Sequence, residues 1–225
     1  VAKTVANQEK CAIAILTIIR TATKGMVEPA ITHIIKEYGR DPFLVLVSCI
    51  LSLRTKDTVS LPASRRLFAH AKTAKEMLLL PTKTIESLIY SVGFYHQKTK
   101  QIHALSAMLI ASFKSTVPHT EKELLSLPGV GRKTANLVLS AGFDIPAICV
   151  DTHVHRISNR LGLVATTTPE ETEIALKKLL PKKYWAEYNK LMVMFGQNVC
   201  VPISPFCSTC PVRHLCPKIG VTKSR

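Results

Sequence analysis

Apolar residues in this chain recur three and four positions apart almost from end to end, a spacing that admits helices and little else. Ile31, Ile34, Ile35 and Tyr38 mark one buried helical face; Ile102, Leu105, Leu109 and Phe113 mark another. Helix starts are written into the same stretches. Asp41 precedes Pro42, Thr120 is followed by Glu123, and Thr168 by Pro169 and Glu171, all patterns of N-capping or of the capping box. No hairpin signal and no long alternating run demands a strand. The most strand-like stretch, 141–150, lies between helical segments and is expected to be a connection. An all-α fold follows. With 225 residues, 47% of them hydrophobic, the chain can bury a real core as one large domain or two small ones.

Thirty Lys and Arg against fifteen Asp and Glu leave a formal charge of +15, which favours a polyanionic partner, nucleic acid before membrane. No apolar run reaches the roughly 18 residues needed to cross a bilayer. The run 11–19 stops at Arg20 and is preceded by Glu9, so a buried helix is expected there rather than the apolar part of a signal peptide. Of seven cysteines, Cys11, Cys49 and Cys149 stand alone among apolar neighbours and are expected to be small core residues. The other four follow the pattern Cys200-x6-Cys207-x2-Cys210-x5-Cys216. An odd total with this crowding is a poor disulfide framework and a good metal site in a reducing compartment, which predicts an intracellular protein. Four soft thiolates suit tetrahedral zinc and a cubane iron–sulfur cluster alike; the presence of only one Cys-x-x-Cys unit inclines toward iron–sulfur.

Between helical segments 121–127 and 132–142 lies Leu127-Pro128-Gly129-Val130-Gly131. Pro128 ends the first helix, and the glycines open backbone conformations that a Cβ resists. Val130 is expected to tuck between the helices. The amides of Gly129, Gly131 and Arg132 would then face outward at a positive dipole end, which suits a phosphate oxygen, although an ordinary turn between two helices would look similar. Lys133 falls in the first helical turn beyond. The dipole and Arg132 disfavour its ammonium there, as a neutral nucleophilic amine requires, while a phosphate-contacting lysine is the plainer alternative. Eighteen positions on, Asp151 opens Asp151-Thr152-His153-Val154-His155-Arg156 and suits an N-cap; a capping carboxylate is held rigidly and can face a cationic transition state. His153 and His155, two apart on a helix, point different ways and argue against a shared metal.

The stretch Leu127-Pro-Gly-Val-Gly-Arg-Lys133-Thr-Ala-Asn136, taken with Val150-Asp-Thr-His-Val-His-Arg156, resembles the helix-hairpin-helix DNA glycosylases, and among them the endonuclease III family, from about Asp41 to Cys216. The resemblance implies a two-lobed all-α fold, with one helical lobe over 35–143 containing the hairpin. The second lobe would join 1–34 to 144–225 and carry a cluster loop at 200–216. It implies a bifunctional DNA glycosylase and abasic-site lyase that excises oxidised pyrimidines from double-stranded DNA and cuts the strand by β-elimination. Lys133 would attack the sugar C1′ and Asp151 would assist. Gly129, Val130, Gly131 and Arg132 would hold the DNA backbone, and Cys200, Cys207, Cys210 and Cys216 would bind a [4Fe–4S] cluster. A monomer is implied, located with the DNA: cytoplasm or nucleoid in a prokaryote, nucleus or mitochondrion in a eukaryote. Two alternatives stay open: a monofunctional mismatch or adenine glycosylase, whose family members carry a different residue at the position of Lys133, and a noncatalytic DNA-binding protein, which would need neither Lys133 nor Asp151.

Departures from the family pattern are visible. The loop 201–206 is uncharged where the family often carries basic residues, so Arg213, His214 and Lys218 are the expected substitutes. Two loops match the family's lesion-facing positions. In the first, Arg54 stands where well-known members have glutamine, which changes the donors offered to an unpaired base and predicts altered lesion or partner-base preference. In the second, Phe94 is expected either to wedge into the base stack or to serve as a core aromatic at a helix end. Asp57 is expected to cap the helix that follows it.

Overall fold

The computed structural model describes residues 2–225 and contains twelve α-helices, one π-helical turn, one 3₁₀ turn and no strand among the described residues. The chain opens with α1 (Ala2–Ala22) and continues through α2 (Ala30–Tyr38), α3 (Pro42–Ser52), α4 (Asp57–Phe68), α5 (Ala74–Leu79), α6 (Thr82–Leu88), α7 (Tyr95–Ser112), α8 (Glu121–Ser126) and α9 (Arg132–Leu137). It ends with α10 (Thr152–Arg160), α11 (Pro169–Leu179) and α12 (Trp185–Asn198). These elements form two compact units, one comprising Pro29–Ile145 and the other joining the segment up to Glu28 with Pro146–Arg225.

The first unit, Pro29–Ile145, is organised by α3. Every residue from Phe43 to Leu51 is buried, so this helix has no solvent face and needs neighbours all round. Helices α2, α4, α7 and α9 and the π-helical turn Val138–Gly142 supply them. Each fully buried Leu, Ile, Val or Phe contributes about 1.5–3 kcal/mol of transfer free energy, which makes α3 the main source of cohesion in this unit. Its start is held as the sequence predicts: the Asp41 carboxylate accepts from the amides of Phe43 (2.8 Å) and Leu44 (3.1 Å), and Pro42 takes the first helical position. Tyr38 packs edge-on against Phe68 with ring centroids 5.7 Å apart, joining α2 to α4.

In the second unit, Ala12, Ile15, Leu16 and Ile19 of α1 pack with Val154 and Ile157 of α10, Leu176 of α11, and Tyr188, Met192 and Phe195 of α12. The 11–19 run is therefore the buried helix expected of it. Cys11 corrects the expectation of a core cysteine: it is exposed. On a helix it lies about a quarter-turn from the centre of the stripe formed by residues 12, 15, 16 and 19, so apolar neighbours in sequence are not its neighbours in space. Thr168 and Glu171 form a full capping box on α11, and Thr120 caps α8 through the Glu123 amide. Asp57 is a second correction. Lys56 holds the cap position of α4, while Asp57 begins the helix and its carboxylate accepts instead from the Ala30 amide (3.1 Å) at the start of α2. Stretch 141–150 contains no strand: its first two residues close the π-helical turn and the rest is a connection, as expected.

Because Asp41 satisfies two orphan amides of the one helix buried on every side, Asp41→Ala is expected to lower the unfolding free energy by about 1 kcal/mol, and Asp41→Asn by less, in urea titrations.

Candidate active site and metal centre

The hairpin between α8 and α9 is closed by the Val130 amide donating to the Leu127 carbonyl (3.1 Å). Gly129 has φ +78°, and a Cβ there would stand 3.0 Å from the Gln101 side chain, so both conformation and space call for glycine. Val130 is buried, as the sequence reading requires. Gly131 is the extended N-cap of α9, and its carbonyl accepts from the Ala135 amide (2.9 Å). Arg132 reaches Glu121 at 3.3 Å, which ties the start of α9 to the start of α8.

Lys133 therefore projects from the first turn of a helix whose entry is fixed by the hairpin. It borders a small cavity with Ile31, Cys49, Ser52, Leu53 and Thr134. Burial pushes the Cys49 thiol up to about 12, even with Lys133 nearby to favour its anion. The Cys49 side of that cavity is thus neutral rather than anionic.

Asp151 is the N-cap of α10, its carboxylate accepting from the Val154 amide (2.8 Å). The backbone leading into it is pinned by the Asn189 side-chain amide, which donates to the Cys149 carbonyl (3.0 Å). His155 turns to the Thr172 hydroxyl (2.7 Å) while His153 lies within 3.1 Å of Arg156, so the two imidazoles diverge and share no ligand.

Arg54 and Phe94 occupy two loops of the Pro29–Ile145 unit, and both are left-handed non-glycine residues, with φ of 54° and 59°. Phe94 is 60% exposed, so it is not a core aromatic, and the Arg54 guanidinium carbon lies 4.8 Å from its ring centroid. Nearby is a residue the sequence reading passed over. Lys98 is 4% exposed, and its ammonium donates to the carbonyls of Leu51 (2.9 Å) and Leu53 (2.6 Å) and to the Thr55 hydroxyl (3.1 Å). Burial lowers its amine to about 8. One lysine among many in a basic chain carries no sequence signal of this role; only the third dimension brings the carbonyls to it.

Cys200, Cys207, Cys210 and Cys216 line one common cavity in the other unit, together with Phe195 and Val212. Burial raises the Cys210 and Cys216 thiols above the usual range, and the neighbouring cysteines raise them further. A cationic centre bound among such clustered thiols would displace their protons and favour the thiolates. No three His, Cys, Asp or Glu side chains among the described residues converge tightly enough to hold a single ion. Two arginines of α10, also unforeseen, clamp this segment: Arg156 donates to the Cys200 carbonyl (2.9 Å), and Arg160 to the carbonyls of Val201 (2.8 Å) and Pro202 (2.7 Å). The uncharged 201–206 loop acquires a guanidinium from elsewhere. Arg225 stacks on Phe206 at 4.0 Å and its amide donates to the Pro205 carbonyl (2.8 Å).

An all-helical chain with this hairpin, this lysine and this cysteine loop has a defined class. A model of the HhH-GPD superfamily base excision DNA repair proteins matches residues 47–182, and the chain belongs to that superfamily. Endonuclease III of Thermotoga maritima is 47% identical over 196 residues, covering 85% of this chain and 92% of that one. The endonuclease III of a non-covalent complex with DNA superposes with a TM-score of 0.83 at 35% identity, over 93% of this chain and 95% of the other. The endonuclease III of a trapped covalent intermediate with DNA, an estranged-adenine complex, does so with 0.75 at 37% identity, over 84% and 93%.

The three lone cysteines differ in a way that alkylation reads directly. Native protein treated with iodoacetamide at pH 8 is expected to label at Cys11 and to spare Cys49, whose thiol is both buried and protonated; peptide mass spectrometry distinguishes them.

Proposed function

We propose that this chain is a bifunctional DNA glycosylase and abasic-site lyase of base excision repair, acting on oxidised pyrimidines in duplex DNA. The observation that carries the reading is the lysine in the first turn after the glycine hairpin, in a chain nearly half identical to an endonuclease III. A related endonuclease III at 37% identity forms a trapped covalent intermediate with DNA, as amine chemistry at such a position demands.

In this mechanism Gly129, Val130, Gly131 and Arg132 hold a backbone phosphate without reading sequence. Arg54 and Phe94 fill the space left when the damaged nucleotide leaves the stack. The Lys133 amine attacks C1′, the C1′–N bond breaks, and the base departs with the bonding electrons. Asp151, fixed as a helix cap, stabilises the positive charge that develops at the sugar or accepts a proton. Opening of the sugar ring yields an imine between C1′ and Lys133. The imine acidifies the C2′ proton; its loss expels the 3′ phosphate oxygen and cuts the strand, and water then hydrolyses the imine and frees the lysine. The alternative of a monofunctional glycosylase is disfavoured by Lys133 itself, and a binding-only protein needs neither Lys133 nor Asp151.

The four cysteines are the proposed ligands of a [4Fe–4S] cluster. Four soft thiols lining one cavity suit such a cluster. Bound there, it supplies four covalent anchors that order the segment 200–216. The protein is proposed to act as a monomer, in whichever compartment holds the DNA.

Borohydride reduction in the presence of duplex DNA bearing thymine glycol or an abasic site is expected to trap a covalent adduct with the wild type and none with Lys133→Gln. Absence of an adduct in protein that binds both DNAs would overturn the lyase assignment. Asp151→Asn retains a capping side chain, so its melting temperature should barely move while turnover falls by about 100-fold. Purified protein is expected to carry iron and inorganic sulfide, both reduced in Cys210→Ser, by elemental analysis and visible absorbance.

A further inference from the structure

We infer that Lys98 is a positioning residue that welds the loop of Arg54 to the loop of Phe94, so that the two side chains meet DNA as a single preassembled stack. The inference rests on the proposed function in taking these loops to face DNA. Its own basis is the joint between them, all of which lies within the Pro29–Ile145 unit.

Three separate contacts make that joint. The Lys98 ammonium has three donors, and all three are used: two on carbonyls at the end of α3 (Leu51 and Leu53) and one on the Thr55 hydroxyl. Lys98 itself sits in the first turn of α7, directly beyond Phe94, and its amide donates to the Phe94 carbonyl (3.0 Å). Thr55 completes the link from the other side, because its hydroxyl also accepts from the Gly93 amide (3.2 Å). The third contact is steric. A Cβ on Gly93 would stand 3.3 Å from the Arg54 carbonyl oxygen and 3.4 Å from the Thr55 hydroxyl, so the two loops approach closely at residue 93 and a side chain there would push them apart by a few tenths of an ångström.

The consequence falls on the two residues that flank the joint. Arg54 and Phe94 are each held in a left-handed conformation that side-chain-bearing residues seldom adopt, and the surroundings must enforce it. Held there, the guanidinium lies over an otherwise exposed ring. A cation–π pair of this kind, already assembled, can meet a base stack as one body and lose little further side-chain freedom on doing so. With glutamine in place of Arg54 the planar cation is lost, so the stack is a property of this chain's own residues. Lys98 acts through the loops, by its bonds to Leu51, Leu53 and Thr55.

A residue that only positions the wedge matters when a duplex must be opened and not when there is nothing to open. The test compares two substrates under single turnover: thymine glycol paired with adenine in duplex DNA, and an abasic site in single-stranded DNA. Lys98→Met, which keeps the stem and removes the donors, is expected to slow excision from the duplex by roughly tenfold or more while leaving cleavage of the single strand within about twofold. Lys98→Arg should recover most of the loss. Thr55→Val, which cuts the same joint with almost no change of volume, should show the same split, and it carries the test if Lys98→Met fails to fold. Equal losses on both substrates, or no loss on the duplex in folded protein, would overturn the inference. A wild type that cleaves neither substrate would instead overturn the proposed function, and this inference with it.

Discussion

A helix buried on every side has to satisfy both its ends without water, and α3 sets this problem for the Pro29–Ile145 unit. Its N-terminal amides are taken by the Asp41 carboxylate, a solution written in the sequence next to Pro42. Its C-terminal carbonyls are taken by the ammonium of Lys98, forty-seven residues from Leu51. An unsatisfied buried carbonyl costs about 1–3 kcal/mol, and a charge-assisted bond to it is stronger than a neutral one, so the second solution anchors the unit as firmly as the first. Two proposed features of this unit adjoin that helix. Cys49 forms part of the wall beside Lys133, and the loop that ends α3 carries Arg54.

The other unit solves a different problem. Segment 200–216 has no helix and few buried side chains, so it cannot be ordered by a core of its own. Arginines on α10 grip its backbone from below, and four thiols gather around one cavity. The same helix carries Asp151 as its cap, so a single nine-residue element connects the carboxylate proposed for catalysis with the segment proposed to hold the cluster.

What could be read from residues alone was whatever is decided within a few positions. Capping boxes, the glycine turn and the buried face of α1 came through because an N-cap bond spans three residues and a helical stripe repeats every four. Readings failed where a residue's partner lay far away. Cys11 has apolar neighbours in sequence and solvent in space. Asp57 begins a helix and yet spends its carboxylate on α2. Phe94 suits a wedge or a core position equally in sequence, and its exposure excludes the core; Lys98, Arg156 and Arg160 give no sign of burial or of the carbonyls they serve.

The sequence by itself therefore determined the helical class, the hairpin, the family motifs around Lys133 and Asp151, and the crowding of the four cysteines proposed as ligands, since each depends on spacing along the chain or on side-chain chemistry. Only the tertiary structure decided which of many identical cations are structural, which aromatic faces outward, and which loops are joined. Burial and hydrogen-bond partnership are relations between segments distant in sequence, and a basic residue looks the same in the one-dimensional chain whether it will be solvated, laid on a ring or sealed against three oxygens.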